Sequence, residues 1–393
     1  MQTKETSTMQ RTTPAAPGYT STRRTLRVTS KALPQHSRQN NRALVLQKLF
    51  QQGAMSRADL ARESGLTRVT VSDLVAGLVT DRIVTELGPR TDSRVGKPAT
   101  LLDIDADSSH IIALDLSADD RFVGAIVNLR ATVLHRDGVP IGGATGESAL
   151  ALVFDLAERL FASATARIIG VGVGSPGIVD DNGIVREAPN LGWSELPLAT
   201  RLSERLRVPV HVGNDANAAA LGVHTFGETS GLSLMVVAIE HGVGAGLIIG
   251  GALVTGEQFA AGEIGHVTVD EAGDLCACGR RGCLELAIAA PHLRARLERA
   301  GSDGRDAVLN DAGRALGIAL SPVISTLNLN EVVLVGPAEL IDGPFLTAAV
   351  ETVRARTLSA VSNGLDMRFI AGGEELVLLG AAVLVLSAEL GVS

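Results

Sequence analysis

The sequence has few cysteines, few aromatic residues and no long hydrophobic run. Its 393 residues include three cysteines, one Trp and one Tyr, and aromatic residues make up 3% of the chain. No apolar stretch reaches the roughly 18 residues that a membrane-spanning helix needs, and the N-terminus lacks the charged and then apolar pattern of a secretory signal. These absences argue against a disulfide-stapled secreted fold and against a membrane protein, and they predict a cytoplasmic location.

Glycine and small apolar residues are abundant instead. The chain contains 43 Gly, and hydrophobic residues make up 46% of it, which is enough for a sizeable core. This composition is typical of a turn-rich α/β protein and not of a disordered or fibrous one. A length of 393 residues favours two or three domains.

Charge is divided unevenly along the chain. The net charge is −8, but residues 1–102 carry 16 Lys and Arg against 7 Asp and Glu, a net charge of +9. Residues 103–393 carry 19 Lys and Arg against 36 Asp and Glu, a net charge of −17. A basic front on an acidic body predicts that only the front meets a polyanion, although a basic tail without a partner would have the same composition.

The first hundred residues divide into a polar tail and a helical module. Residues 1–36 are rich in Thr, Ser, Pro, Gln and Arg without apolar periodicity, which predicts a disordered tail. Apolar residues then recur at helical spacing from Arg38 to Gly53. Two shorter helices should follow, because Ser56 is a suitable cap for residues 57–64 and Thr67 for a helix ending near residue 80.

A basic hairpin completes the module. Short apolar segments at 83–88 and 99–104 flank a basic turn, so the order of elements predicts a winged helix-turn-helix over residues 37–102. In such a domain the start of the recognition helix reaches base edges, and the wing contacts phosphates or the minor groove. The expected DNA contacts are Ser56, Arg57, Thr67, Arg68, Val69, Thr70, Ser72, Asp73, Arg90, Arg94 and Lys97. A module used only for dimerisation or protein docking is the alternative.

Residues 103–393 alternate between predicted strands and helices. The mixture of an early hairpin and later strand–helix alternation predicts two α/β lobes with partly antiparallel sheets and a cleft between them. The expected strands are 110–116, 121–128, 168–174, 208–212, 232–239, 244–250 and 331–335, and the expected helices are 147–163, 196–206, 215–222, 306–327, 343–357 and 376–390.

All three cysteines lie in one short segment. His266 is followed by Cys276, Cys278 and Cys283, with glycines between them that let the sulfurs converge. A Cys₃His set suits tetrahedral Zn²⁺, and four protein ligands predict a structural zinc loop at 266–283 and not a catalytic site. Three free thiols and an iron–sulfur centre are the alternatives.

These motifs resemble those of the ROK family, which contains repressors, uncharacterised frames and sugar kinases. The strongest likeness is in Ala261-Gly-Glu-Ile-Gly-His266 and Cys276-Ala-Cys-Gly-Arg-Arg-Gly-Cys-Leu-Glu285. Further likeness is found in Gly174-Ser-Pro-Gly-Ile-Val-Asp180, Ala188-Pro-Asn-Leu-Gly-Trp193 and Asn214-Asp-Ala-Asn217. The resemblance covers residues 38–393, and the N-terminal module is similar to that of the repressor branch, which includes xylose and N-acetylglucosamine repressors.

The resemblance implies a two-lobed, ribonuclease H-like fold of the actin, hexokinase and Hsp70 type, with a sugar in the cleft. It also implies a monosaccharide or sugar-phosphate effector, operator DNA, and a homodimer or homotetramer as partners. His266 would hold zinc with one ring nitrogen and face the sugar with the other. The implied sugar-binding residues, whose carboxylates and amides suit a ring of hydroxyls, are Gly177, Asn190, Asn214, Asp215, Glu263, His266 and Glu285.

The resemblance leaves kinase activity as a separate question. Asp215 stands where the family's kinases have the catalytic base. Their first phosphate loop is an Asp followed by Gly, Gly and Thr, whereas this chain has Asp115-Leu-Ser-Ala-Asp-Asp120. The second phosphate loop, Gly242-Val-Gly-Ala-Gly246, is intact, and Pro337 replaces a common glycine near the adenosine pocket. We expect Asp215 to be a vestigial base, with an ATP-dependent sugar kinase that carries a DNA-binding domain as the alternative.

Overall fold

The structure is a computed structural model that describes residues 34–89, 99–118, 120–227, 229 and 231–392. The predicted disordered tail lies almost wholly outside these ranges. The predicted wing contacts Arg90, Arg94 and Lys97 also lie outside them. No helix in the described ranges is both long and apolar enough to cross a membrane.

The N-terminal module has three helices and a three-stranded antiparallel sheet of order β1-β3-β2. Ser56 and Thr67 cap the second and third helices, as the sequence predicts. The two-residue strand β1 is unpredicted, and it pairs Met55 with Leu102 at the base of the wing. The elements are α1 (Pro34–Gln52), β1 (Met55–Ser56), α2 (Arg57–Ser64), α3 (Arg68–Thr80), β2 (Val84–Pro89) and β3 (Thr100–Ile104).

The first lobe is a five-stranded mixed sheet of order β11-β7-β4-β5-β6, with a small sheet of order β10-β9-β8 beside it. Strands β4 and β5 form the predicted hairpin. The elements are β4 (Ser109–Asp115), β5 (Arg121–Asn128), β6 (Val133–Pro140), α4 (Gly146–Ser163), β7 (Arg167–Ser175), β8 (Ile178–Val179), β9 (Val185–Ala188), β10 (Trp193–Leu196), α5 (Leu198–Leu206) and β11 (Val210–Asn214).

The second lobe is a five-stranded mixed sheet of order β14-β13-β12-β15-β16. Its elements are α6 (Asp215–Phe226), β12 (Leu234–Ile239), β13 (Val243–Ile249), β14 (Ala252–Leu253), α7 (Leu284–Ile288), α8 (Ala290–Leu327), β15 (Glu331–Val335), α9 (Ala338–Ile341), α10 (Pro344–Arg356), α11 (Ser359–Ser362), β16 (Asp366–Ile370) and α12 (Gly373–Val385). A π-helical turn, Leu386–Leu390, follows α12 and is called the C-terminal turn below.

The two lobes share one topology. In each, the first three strands form an antiparallel meander, and two further strands add in parallel on the other side of the first strand. Helix α12 packs on the first lobe's sheet, α6 packs on the second lobe's sheet, and the two helices pack against each other. This arrangement confirms the predicted two-lobed fold and reveals a duplication that the sequence did not indicate.

The N-terminal module does not have a separate core. Val45 and Leu46 of α1 belong to the same buried cluster as Leu386, Leu390 and Val392 at the C-terminal end. That cluster continues into β4, β5 and α12. The first and last parts of the chain are therefore packed together on the first lobe.

Several elements differ from the sequence expectation, among them α8 and β6. The predicted helix at 306–327 is preceded by a second helical segment that starts at Ala290, and the two are joined as α8 at Gly301, whose φ of 66° and ψ of −173° are not helical. Strand β6 was not predicted, because it is an edge strand whose residues are mostly exposed and lack apolar alternation.

Candidate functional site

The junction of β11 and α6 organises the cleft. The Asn214 side-chain oxygen accepts the Asn217 backbone N–H at 3.0 Å and so caps α6. Its amide nitrogen donates to the Gly177 carbonyl at 3.0 Å and to Asp215 Oδ1 at 2.9 Å. Gly177 has a φ of 83°, and a Cβ atom there would lie 2.0 Å from the Glu187 carbonyl oxygen. Three predicted sugar-binding positions are thus tied together in one network.

Carboxylates from both lobes face each other across this junction. Burial raises the pKa of Asp215 to about 7, and the negative charges of Asp115 and Glu263 raise it further. Burial also raises the pKa of Asp115, to about 6. Asp115 and Glu263 therefore lie near enough to the buried Asp215 for their charges to act on it, and the three carboxyl groups form one acidic group. Asp115 was not predicted as part of a sugar site, although its place at the end of a buried strand was a usable signal.

A second group of predicted residues gathers beside the zinc loop. Burial raises the pKa of Glu263, the His266 charge lowers it, and the Glu285 and Glu187 carboxylates raise it. Glu285 Oε2 accepts the Val243 backbone N–H at 3.4 Å. Glu263, His266 and Glu285 therefore surround one region of the cleft.

The remaining predicted sugar residue is Asn190. It is exposed in the 3₁₀ turn Pro189–Leu191, and its side chain makes no hydrogen bond to another described residue. The structure thus places Asn190 on a surface turn and does not join it to the network around Asn214. Glu187, two residues from this turn, is electrostatically coupled to Glu263 and was missed by the sequence argument.

The first phosphate loop is folded onto itself. The Ser117 backbone N–H donates to Asp115 Oδ1 at 2.9 Å, and the Ser117 hydroxyl donates to the same oxygen at 2.6 Å. These bonds occupy the carboxylate that begins the loop. Asp119, a further acidic residue of this loop, lies outside the described residues.

The intact second glycine loop has a packing role. A Cβ atom at Gly246 would lie 2.4 Å from the Ala216 carbonyl oxygen and 2.5 Å from the Ala220 side chain. Small residues are needed there because β13 passes directly against α6. This requirement explains the loop without any phosphate ligand.

The four predicted metal ligands converge. One ligand atom from each of His266, Cys276, Cys278 and Cys283 lies within 4.8 Å of the others. Cys276 Sγ is 3.8 Å from His266 Nδ1, and Cys278 Sγ is 3.6 Å from Cys283 Sγ. Zn–S bonds of about 2.3 Å at tetrahedral angles place two sulfurs about 3.8 Å apart, so the cluster fits a tetrahedral ion of this size. His266 uses Nδ1 toward the sulfurs, which leaves Nε2 for another partner.

The thiols of this cluster differ in their surroundings. The Arg280 backbone N–H lowers the pKa of the exposed Cys278, whereas burial raises the pKa of Cys283. The backbone N–H is the largest effect on Cys278, and the intervening Gly279 has a left-handed φ of 84°.

Four predicted DNA-contacting residues form an exposed face on α3. Arg68, Val69, Ser72 and Asp73 are all exposed, and the Val69 side chain is 72% exposed. Arg68 pairs with no carboxylate among the described residues. This face is therefore open to solvent and free to contact a partner.

Other predicted contacts have structural partners. Thr67 Oγ1 caps α3 and lies 2.9 Å from Thr70 Oγ1. Arg57 pairs with Glu86 of the wing at 2.8 Å. Ser56 is 3% exposed and exchanges hydrogen bonds with Asp59, so it is a buried cap and does not lie on the exposed face.

The fold and the site together define a class of protein. It has two α/β lobes of the sugar-kinase type and a Cys₃His cluster in a loop of the second lobe. A winged helix-turn-helix packs on the first lobe. The ROK family model matches residues 111–388. This match covers more than two thirds of the chain, and the chain belongs to the ROK family.

Relatives of both kinds are found within the family. The chain is 29% identical over 391 residues to the xylose repressor of Caldicellulosiruptor bescii, covering 89% of this chain and 96% of the repressor. It is 30% identical over 256 residues to a glucokinase of Halalkalibacterium halodurans, covering 56% of this chain and 77% of that enzyme. A solved ROK family transcriptional regulator, a homologue of the E. coli MLC protein, matches with a TM-score of 0.79 and 24% identity over 90% of this chain and 96% of that one.

Proposed function

We propose that this protein is a sugar-responsive, DNA-binding transcriptional regulator that acts as a repressor. The observation that carries the proposal is the shared core of α1, the C-terminal turn and the first lobe. A DNA-binding module packed in this way would move together with the first lobe, which forms one side of the sugar site. The near full-length similarity to a xylose repressor, which includes the N-terminal module, supports the same function.

DNA binding is assigned to the exposed face of α3. Arg68 is suited to a bidentate contact with guanine, and Val69 to a thymine methyl group. Ser72, Asp73, Thr67 and Thr70 complete this surface, with Arg57 at the start of α2. Arg90, Arg94 and Lys97 would contact phosphates or the minor groove from the wing. Ser56 is left out because it is buried.

Sugar binding is assigned to the network around Asn214 and Asp215, together with Glu263, His266 and Glu285. These groups offer both donors and acceptors in fixed positions, as a ring of hydroxyls requires. The Gly177 carbonyl fixes the Asn214 amide, so Asp215 is oriented before a ligand arrives. Asn190 would join only if its turn closes over the sugar.

Zinc is assigned to His266, Cys276, Cys278 and Cys283 in a structural role. When bound, it supplies a cross-link that holds the loop between His266 and Glu285. His266 Nε2 and the Glu285 carboxylate would thereby be oriented toward the sugar.

Phosphoryl transfer is assigned as lost, with an ATP-dependent sugar kinase as the second candidate function. The Ser117 backbone N–H and hydroxyl both donate to Asp115, so that N–H is engaged within the protein and is not free for a phosphate. The presence of Asp215 and the similarity to a glucokinase favour the alternative. Sugar-dependent ADP formation that disappears in Asp215→Asn would establish the kinase and refute the loss.

Coupling between the sugar and DNA is assigned to the helices α6 and α12. A sugar bound at Asp215, the first residue of α6, would close the lobes and move α12 with its C-terminal turn. In a homodimer or homotetramer this movement changes the spacing of paired recognition helices, which must match two operator half-sites. The protein would act in the cytoplasm, where reduced cysteines and DNA are both available.

The test is fluorescence anisotropy of the full chain on DNA flanking its own gene, across salt concentrations and with a panel of sugars and sugar phosphates. We expect salt-dependent binding that one sugar shifts. Calorimetry of that sugar with and without operator DNA should give the same coupling factor, because coupling is reciprocal. Identical sugar affinities in both titrations would refute the coupling. Absence of salt-dependent DNA binding would favour a protein-docking module.

A further inference from the structure

A second cavity lies at the far end of the first lobe's sheet. Its volume is about 520 Å³, and its walls include Phe161, Arg167, Ile168, Arg207, Val208 and Glu389. Strand β7 begins at this cavity and ends at the sugar cleft. Since a strand rises about 3.3 Å per residue, the nine residues of β7 separate the two places by about 25 Å. The cavity is therefore distinct from the cleft.

The two arginines of this cavity differ from the others in the lobe. Residues 105–214 contain nine arginines, and seven of them form ion pairs with Asp or Glu. Arg167 and Arg207 pair with no described carboxylate, and both line the cavity. Unpaired cations on an acidic lobe, gathered at one concave place, indicate a site for an anion.

The pairing of β7 with β11 brings these two arginines to the same end of the first lobe's sheet. The Val171 N–H donates to the Pro209 carbonyl at 2.9 Å, so the segments that carry Arg167 and Arg207 run side by side. Arg207 ends α5 with a φ of 59°, a left-handed conformation that favours glycine. An arginine therefore occupies a position where the backbone alone would favour a glycine.

The other residues that line the cavity indicate which kind of molecule could accompany the anionic group. Phe161, Ile168 and Val208 contribute apolar side chains to its walls. Glu389 has a partner other than the two arginines, because His211 Nε2 lies 2.9 Å from Glu389 Oε1.

We propose that the cavity binds a small organic anion with an apolar body, a carboxylate or a phosphate ester, through Arg167 and Arg207. Its volume suits such a molecule, and guanidinium groups bind both kinds of anion in a bidentate manner.

The cavity is placed to affect the N-terminal module. Glu389 belongs to the C-terminal turn, whose Leu386 and Leu390 pack with Val45 and Leu46 of α1. An anion bound between the arginines and this turn would alter that packing without entering the sugar cleft. This regulatory consequence depends on the proposed function, whereas anion binding itself does not.

The test is calorimetric titration of the full chain, free of DNA, with phenyl phosphate, benzoate and uncharged benzyl alcohol. At least one anion should bind, and benzyl alcohol should bind at least tenfold more weakly. The double variant Arg167→Gln, Arg207→Gln should weaken anion binding at least tenfold. Arg354→Gln is the matched control, because Arg354 is exposed on α10 and pairs with no described carboxylate. Arg207→Gly gives a second variant that suits the backbone at this position and still removes one cation.

The outcomes separate the possible roles of the arginines. The preferred anion identifies a phosphate or a carboxylate ligand. Binding of neither anion at millimolar concentration, or equal binding by the double variant, would overturn the proposal. The proposal would also be overturned if the double variant bound anions as tightly as the wild type but bound operator DNA more weakly. The arginines would then contact DNA phosphates. A sugar titration of the same sample reports separately on the proposed function.

Discussion

Gly380 of α12 lies directly against the Ala218 carbonyl of α6, and a Cβ atom at position 380 would be 1.7 Å from that oxygen. A second contact repeats this closeness, because a Cβ atom at Gly222 would be 2.4 Å from the Leu376 carbonyl oxygen. Helix α6 starts at Asp215 in the cleft, and α12 leads to the turn that packs on α1. The two closely packed helices therefore form a continuous connection between Asp215 and the N-terminal module.

Gly380→Ala should destabilise the protein strongly. The new methyl group meets backbone atoms, which cannot rotate away, so the helices must separate. We expect the free energy of unfolding in urea to fall by about 2–4 kcal/mol. Gly77→Ala in α3 is the matched control, because no atom lies within 4 Å of a Cβ there, and it should raise stability by about 0.5–1 kcal/mol. Equal effects of the two substitutions would contradict the close helix contact.

Asp215→Asn should stabilise the protein at alkaline pH. Burial raises the pKa of Asp215 from 3.8 to about 7 in the folded protein, so the folded state holds the proton more tightly than the unfolded chain. The contribution of this group to the free energy of unfolding is fully present below pH 3.8, the unfolded pKa. It is lost as the pH rises through 7, the folded pKa. The asparagine variant should therefore gain on the order of 4 kcal/mol over the wild type at pH 8 and little at pH 4.

Denaturation at several pH values measures this difference. Asp306→Asn, a change at an exposed position of α8, is the control and should give a small, constant difference. A constant difference for Asp215→Asn would show that this carboxyl group titrates alike in the folded and unfolded states.

Loss of the metal centre should reduce stability and sugar affinity together. Cys276→Ser removes a buried ligand, and we expect its metal content, measured by mass spectrometry, to fall from one ion per chain toward zero. The free energy of unfolding should fall by at least about 2 kcal/mol, because the loop loses its cross-link. Glu271→Gln, at an exposed position of the same loop, should keep both metal and stability. Full metal content in Cys276→Ser would contradict the ligand assignment.

Arg68→Ala should weaken operator binding without affecting the sugar site. Loss of a bidentate base contact costs about 1–3 kcal/mol, or roughly 5- to 150-fold in affinity. Anisotropy titrations would measure this loss, and calorimetry should give an unchanged sugar affinity without DNA. Arg354→Ala, on α10 of the second lobe, removes the same charge and should leave operator affinity within about twofold. Equal losses in both variants would indicate a general charge effect and contradict a contact by Arg68.

Features that depend on neighbouring residues were predictable from the sequence. Ser56 and Thr67 cap their helices through backbone groups three residues away, so the caps of the helix-turn-helix follow from local spacing. The four ligands of the metal cluster lie within 18 residues, and short glycine-rich spacing was enough to predict their convergence. The motifs around Asn214 and His266 also predicted the membership in the ROK family, which the family model confirms.

Features that depend on distant residues were decided only by the tertiary structure. The edge strand β6 and the duplication of the lobes have no local pattern, because strand pairing joins residues far apart in sequence. The coupling of Asp115 to Asp215, and the meeting of Arg167 and Arg207, arise from the parallel alignment of β4, β7 and β11 in one sheet. Local spacing fixes caps and ligand loops through short-range bonds, whereas burial of apolar faces across the whole chain determines which of these local units meet.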